Sequence, residues 1–368
     1  MDKQTVLILF GGYSTEHFAS CESAANVLRH IDRERFDVLT LGITLAGDWL
    51  LTDAGVDEIE DGTTWLDRPG NKKAIINPIR NSHSILVLED GKYTEQHIDC
   101  VFPTMMGFGG EDGSIQGLLE MADIPYVGSD IRSSAVALDK EASKIYADVL
   151  GIKRARSITL RDYEFKKNGN EVIGKINFAY PIFVKPANGG SSVGVIKVKD
   201  SSMLSDAIEK CFTYENKIVV EEGVAGKEIS VTVIGNEELR FGDLCEIIIP
   251  ENEDFDFSSK YVTCTSSKRV PAAISEKAAE ECRVIAGKIY KAIGCSNISR
   301  IDFFVTDEDE VYFNEVNTLP VMRNHGIVSM VYESQGMTFT GVITEIIEHA
   351  FKKSKRVYAV NEKEIRIY

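Results

Sequence analysis

Two apolar strands flanking an acidic turn, residues 299–317, restrict this 368-residue chain more than any other stretch. SRIDFFV and VYFNEVN are rich in β-branched and aromatic residues, and the TDEDE between them is turn-prone. The segment therefore predicts an antiparallel hairpin. With Glu308 and Asp309 as a two-residue turn, Asp302 falls opposite Glu315 and Arg300 opposite Asn317. Strand side chains alternate with period two, so these four project from one face. Two carboxylates directly across a pair repel each other unless a cation lies between them. A hard divalent ion such as Mg²⁺ accepts Asp, Glu and Asn oxygens alongside nucleotide phosphates. A solvated polar face on an edge hairpin is the plainer alternative. The surrounding Phe and Val residues disfavour it, because they ask for a packed sheet.

Two further segments point to a nucleotide. FVKP (183–186) is an apolar strand ending in Lys185, followed by NGGSSVG (188–194). Glycines let backbone N–H groups converge on a phosphate, and Ser191 and Ser192 add hydroxyl donors. The GxxxxGK[ST] loop is absent, as is a GxGxxG after the first strand, so neither a P-loop nor a dinucleotide fold is indicated. IVVEEGVAGKE (218–228) is a strand that breaks into a glycine-containing linker, freeing backbone groups to read a base edge.

The remaining chain reads as three α/β or α+β lobes. Strand-like runs at 6–10, 36–42 and 101–103 alternate with helical patterns at 20–30 and 115–122, which suggests an open, largely parallel sheet. Residues 45–95 are turn-rich and carry no clear period. A helix begins near 133–140 and runs to about 150; others fall at 204–211, 276–293 and 339–353. The formal charge of −16 disfavours nucleic acid or an anionic membrane as partner. No apolar run reaches the roughly 18 residues of a membrane span, and MDK leads directly into VLILF, so neither signal peptide nor anchor is expected. Seven scattered cysteines with no CxxC pair read as buried small residues in a reducing cytoplasm.

In order along the chain, FGGYSTEH (10–17), GGEDGSIQGLLE (109–120), IPYVG (124–128), LDK (138–140), VKP (184–186), GSSVG (190–194), KY (260–261), RID (300–302) and NEVNTLP (314–320) resemble the D-alanine–D-alanine ligase family of the ATP-grasp superfamily. The resemblance runs almost end to end. It implies a Rossmann-like N-terminal domain (1–139), a central ATP-grasp lobe with a phosphate lid (140–228) and a C-terminal lobe carrying the metals (229–368). It also implies an ATP-dependent carboxylate–amine ligase of cell-wall (peptidoglycan) synthesis, using two Mg²⁺ ions, with Mn²⁺ as a substitute. The first amino acid is activated as an acyl phosphate and a second amine displaces phosphate. Partners are small amino acids, and the family's habit of pairing through the N-terminal domain makes a homodimer an expectation.

On the matching positions, the resemblance gives Lys140, Lys185 and Ser192 to ATP phosphates, Glu221, Glu222 and Val224 to the adenine, and Glu228 to the ribose. Asp302, Glu315 and Asn317 would hold the metals. Glu16 would receive the first substrate's amine, with Ser191 and Tyr261 bonded around it. Lys260 would meet the transferred phosphate and Arg300 the oxyanion, under a mobile loop at 255–271.

The acceptor side departs from the pattern. Met105-Met106-Gly107 stands where the family commonly has His before Gly, and Met106 cannot donate a hydrogen bond. Val321 replaces a glycine beside the oxyanion site, and Gly326 replaces the serine that binds the second D-alanine's carboxylate. Two expectations follow. Arg323 takes over that carboxylate, with His325 lining the pocket, or the acceptor is another amino acid, a hydroxy acid or an amine. An ATP-binding sensor without ligase activity is the reading from a different class.

Overall fold

A computed structural model describes residues 3–248 and 267–353. Its strands form three sheets. The first contains β1 (Gln4–Gly11), β2 (Phe36–Ile43), β3 (Trp49–Thr52), β4 (Lys72–Ile76), β5 (Ser84–Glu89), β6 (Lys92–His97) and β7 (Cys100–Pro103), in the order β6-β5-β4-β3-β2-β1-β7. Only β2, β1 and β7 run parallel; β3 to β6 extend the sheet antiparallel. The expectation of a largely parallel sheet therefore holds only for the three strands at the β7 end of the sheet. Val6 to Phe10 are fully buried, as a strand covered on both faces requires. Helix α1 (His17–His30) follows β1, and α2 (Val56–Asp61) and α3 (Ser114–Ala122) complete this part.

The single helix expected from near 133–140 to about 150 is two, α4 (Ile131–Leu138) and α5 (Lys140–Val149). Asp139 is the break: its backbone is extended and its carboxylate caps α5 by accepting from the N–H groups of Glu141 at 2.9 Å and Ala142 at 3.2 Å. The second sheet has the order β10-β9-β11-β8 and is antiparallel. It is built from β8 (Ser157–Arg161), β9 (Ile182–Pro186), β10 (Ile196–Val198) and β11 (Lys217–Glu222), backed by α6 (Asp162–Gly174) and α7 (Leu204–Phe212).

The third sheet comprises β12 (Lys227–Gly235), β13 (Arg240–Phe241), β14 (Cys245–Ile248), β15 (Ser267–Arg269), β16 (Asn297–Val305) and β17 (Val311–Asn317), with main order β15-β14-β12-β16-β17. Its two faces differ, as period-two alternation dictates. Ile229, Val231, Val233, Ile301 and Phe303 pack on α8 (Glu276–Ile293) and α5. Glu228, Ser230, Arg300 and Asp302 take the opposite, polar face. Helix α8 is bounded at both ends by its sequence: Ser275 Oγ accepts from the Ala278 N–H at 3.1 Å, and Gly294 ends it with φ 87°. Two last helices, α9 (Ile327–Glu333) and α10 (Phe339–Lys352), close the described chain. Val342, Ile346 and Ile347 of α10 share one core with Val6, Ile8 and Phe10. Among the described residues no helix is long and apolar enough to cross a membrane.

The hairpin forms with one difference. Val305 pairs with Val311, so residues 306–310 make the turn, closed by the Thr306 N–H donating to the Glu310 carbonyl at 3.0 Å with Asp309 left-handed at φ 62°. Between Asp302 and Phe303 the register shifts, leaving Asn314 as an extra residue. The bulge cancels the longer turn, and Asp302 still opposes Glu315 while Arg300 opposes Asn317.

Candidate active site

Two cavities meet at the polar face of the third sheet. The larger, about 480 Å³, is walled by Phe183, Lys185, Ser192, Glu221, Glu222 and Val224 on the second sheet. The smaller, about 160 Å³, is walled by Glu16, Met106, Glu111, Arg300, Asn317, Val321 and Gly326. Lys140, Gly189, Gly190, Ser191, Glu228 and Glu315 line both. These six residues form the partition between them.

Asp302 anchors the hairpin end of this partition. It is almost wholly buried. Its carboxylate accepts from Arg300 Nε at 2.9 Å and Nη2 at 2.7 Å, from Ser230 Oγ at 2.7 Å and from Asn317 Nδ2 at 3.3 Å. Glu315 lies 3.9 Å from Lys140 Nζ, which itself donates to the Gly189 carbonyl at 2.5 Å. Lys140 thus ties the lid to the hairpin. Among the described residues no three His, Cys, Asp or Glu side chains converge as a metal cage. What the face offers is two carboxylates and an amide of the hard-oxygen type that Mg²⁺ takes when phosphate and water complete its shell. The donor set fits that ion.

Under the nucleotide-side cavity lies a buried charge cluster that the sequence reading missed in part. Glu221 is paired with Lys144 at 2.8 Å and with Lys185. Burial works to raise the Glu221 pKa, but the two ammoniums outweigh it and hold the carboxyl down at about 2. For Lys185 burial works downward and Glu221 outweighs it, so its pKa is raised; burial prevails at Lys144 and lowers it. Lys144 stands one helical turn after Lys140 in α5, a spacing that places both on one face and could have singled it out. The Glu222 carboxylate turns to Arg156, with both contacts at 2.8 Å, leaving only the strand end beside the cavity.

On the other side of the partition, the Ser191 hydroxyl donates to the carboxylate of Glu16, joining the lid to the start of α1. Ser191 and Ser192 are both left-handed, at φ 49° and 59°, a strained pair for non-glycine residues. Gly107 and Gly190 approach Glu16 closely: a Cβ would meet its Oε2 at 2.5 Å and 2.7 Å respectively and displace the carboxylate. Glu111, which the sequence reading quoted but gave no role, is buried here and accepts from the Gly107 N–H at 2.7 Å. Burial, reinforced by the charge of Glu16, pushes its pKa from 4.5 up to about 8 against the pull of the Gly107 N–H and Arg300. The folded protein therefore holds a proton that the unfolded chain releases, so this group costs stability as pH rises from 4.5 through about 8. Glu111→Gln should flatten that window and leave the variant more stable than the parent at alkaline pH, measured by urea unfolding across the range.

The acceptor segment differs from expectation. Arg323 borders the cavity and is engaged within the protein: its Nη2 donates to Glu22 of α1, and among the described residues its Nε is buried without a partner. Its neighbours are tied to the same helix, Met322 N–H to Ser23 Oγ and Asn324 N–H to Asn26 Oδ1, each at 3.1 Å. His325 does not line the cavity. The Gly326 N–H donates to the Arg323 carbonyl at 2.9 Å, and this tight turn puts His325, left-handed at φ 56°, at its exposed tip. Val321 and Gly326 do line the cavity. Lys260 and Tyr261, with most of the 255–271 loop, lie outside the described residues.

Comparison with known proteins agrees with this geometry. Residues 5–129 match the family model described as D-ala D-ala ligase N-terminus, and residues 147–348 match D-ala D-ala ligase C-terminus. The chain is similar to the D-alanine–D-alanine ligase of Caldicellulosiruptor bescii, 36% identical with 97% of each chain covered. It is also similar to D-alanine–D-alanine ligase A of Escherichia coli K12, 36% identical over 96% of this chain and 97% of that one. Among solved structures, the VanG D-Ala:D-Ser ligase of Enterococcus faecalis matches with a TM-score of 0.84 and 32% identity, over 95% of this chain and 100% of that one. The D-alanine–D-alanine ligase of Coxiella burnetii matches with a TM-score of 0.82 and 27% identity, over 96% and 95%. Matched across both its halves, this chain belongs to the D-alanine–D-alanine ligase family, whose fold is ATP-grasp.

Proposed function

We propose that this chain is an ADP-forming ligase that joins D-alanine to a second D-amino acid through an acyl phosphate, in the cytoplasm and for cell-wall precursors. The observation that carries the reading is the partition: one set of residues borders both cavities, so a phosphoryl group held there lies within reach of both. Lys140, Lys185 and Ser192 serve the phosphates, the end of β11 from Glu221 to Val224 the adenine, and Glu228 the ribose. Asp302, Glu315 and Asn317 would hold two Mg²⁺ ions, which would supply charge neutralisation to the transferring group. Glu16 takes the first substrate's amine, Ser191 draws the lid over it, and Arg300 faces the oxyanion as the second amine attacks. Catalysis of this type consists mostly of positioning and preorganised charge, with water kept from the reactive intermediate. A homodimer through the N-terminal domain belongs to the same reading.

A second reading concerns the acceptor alone. The cavity wall at Met106, Val321 and Gly326 bears no side-chain donor, and a D-Ala:D-Ser ligase is among the structural neighbours, so D-serine is a candidate second substrate. The test is ADP release and product mass spectrometry over a panel of D- and L-amino acids with ATP and Mg²⁺. A D-alanyl product is the expected result. ADP release indifferent to every amino acid would refute the ligase reading and leave a nucleotide sensor.

A further inference from the structure

Four cationic side chains line the amino-acid cavity, and three of them are already engaged. Lys140 is held by Gly189 and Glu315, Arg300 by Asp302, and Arg323 by Glu22. The fourth is Lys268. Among the described residues it has neither an ion pair nor a hydrogen bond, although it is half-buried. Its placement follows from sheet register. Lys268 of β15 lies opposite Ile247 of β14, which lies opposite Glu228 of β12. Opposed residues share a face, so Lys268 projects from the polar face that carries Ser230, Arg300 and Asp302. Its neighbour Arg269 takes the other face and pairs with Glu246 at 3.4 Å.

Lys268 borders the amino-acid cavity and not the nucleotide cavity. An ammonium on a partly desolvated wall favours a ligand that brings the missing negative charge. Of the other lining residues, Met106, Val321, Gly326, Ile327 and Val328 offer no side-chain donor to such a ligand, and Arg323 is held by Glu22. A second amino acid brings a carboxylate that must be held if its amine is to point at the activated carbonyl. We propose that Lys268 is a specificity residue that binds the carboxylate of the second amino acid. This rests on the ligase reading above.

The test is a competition between two acceptors that differ only in that group. D-alanine and D-alaninamide are supplied together with ATP and Mg²⁺, and the ratio of free-acid to amide dipeptide is read by mass spectrometry. If the panel identifies D-serine as acceptor, D-serine and D-serinamide replace them. The parent should favour the free acid. Lys268→Met should cut that preference by roughly tenfold or more, as loss of a charge-assisted hydrogen bond does, and Lys268→Arg should restore most of it. An unchanged ratio in Lys268→Met overturns the proposal. So does a parallel fall of both products at constant ratio, which would assign Lys268 to the transferring phosphate. Failure of the parent to make either dipeptide would instead strike at the ligase reading.

Discussion

Asp302→Asn should lower amino-acid-dependent ADP formation by on the order of 10³-fold while leaving a folded protein. The carboxylate is buried and receives hydrogen bonds from Arg300, Ser230 and Asn317, so it fixes three neighbours as well as offering its own oxygens to a divalent ion. Asparagine keeps the shape and one acceptor but removes the charge that Arg300 and the ion share. Without it, the half-buried guanidinium is drawn to Glu315 and leaves the oxyanion position. Steady-state ADP release checks the rate, and circular dichroism checks the fold. On the proposed metal site only Glu315 and Asn317 would then remain to hold the ion, so raising the Mg²⁺ concentration should recover part of the activity. Near-parental turnover at ordinary Mg²⁺ would remove Asp302 from the machinery.

The second large effect is on stability. Glu221→Gln should destabilise the protein by about 3–5 kcal/mol, because it strands two buried ammoniums that shared one carboxylate. In a chain of this size that corresponds to a fall in Tm of roughly 5 °C. The pH dependence gives a second check. With its folded pKa held at about 2, below the ordinary 4.5, Glu221 contributes stability above 4.5 that is lost as pH falls toward 2. The variant lacks that acid-side loss. It should also gain stability as pH rises, since Lys144, whose pKa burial already lowers, sheds its proton more readily once its counter-charge is gone. The KM for ATP should rise as Lys185 loses its anchor. A melting temperature equal to the parent's would mean that the lysines are solvated by other means.

The residues that face the cleft were legible wherever the code is local. Strand alternation and an acidic turn located Arg300, Asp302, Glu315 and Asn317, and glycine with serine marked the lid. Features that depend on partners were not. Strand β6 has no apolar face, with five of its six residues exposed, so no periodicity announces it; pairing with β5 alone holds it in the sheet. The break at Asp139 reads as one more polar helical residue until its carboxylate is seen capping the next helix. Lys144 and Glu111 are ionisable groups buried by elements far away in sequence, and their environment is a property of the folded chain. Arg323 borders the amino-acid cavity, but nothing in its segment foretells the Glu22 with which it pairs.

Asn314 and the tip are two places where the hairpin can change length, with different consequences. The tip at 306–310 lies outside the paired residues, so an insertion or deletion there leaves Asp302 opposite Glu315. Asn314 sits inside the pairing, where an extra residue bends and twists its strand; removing it should straighten the strand end that carries Glu315 and Asn317 and shift how both meet the cleft.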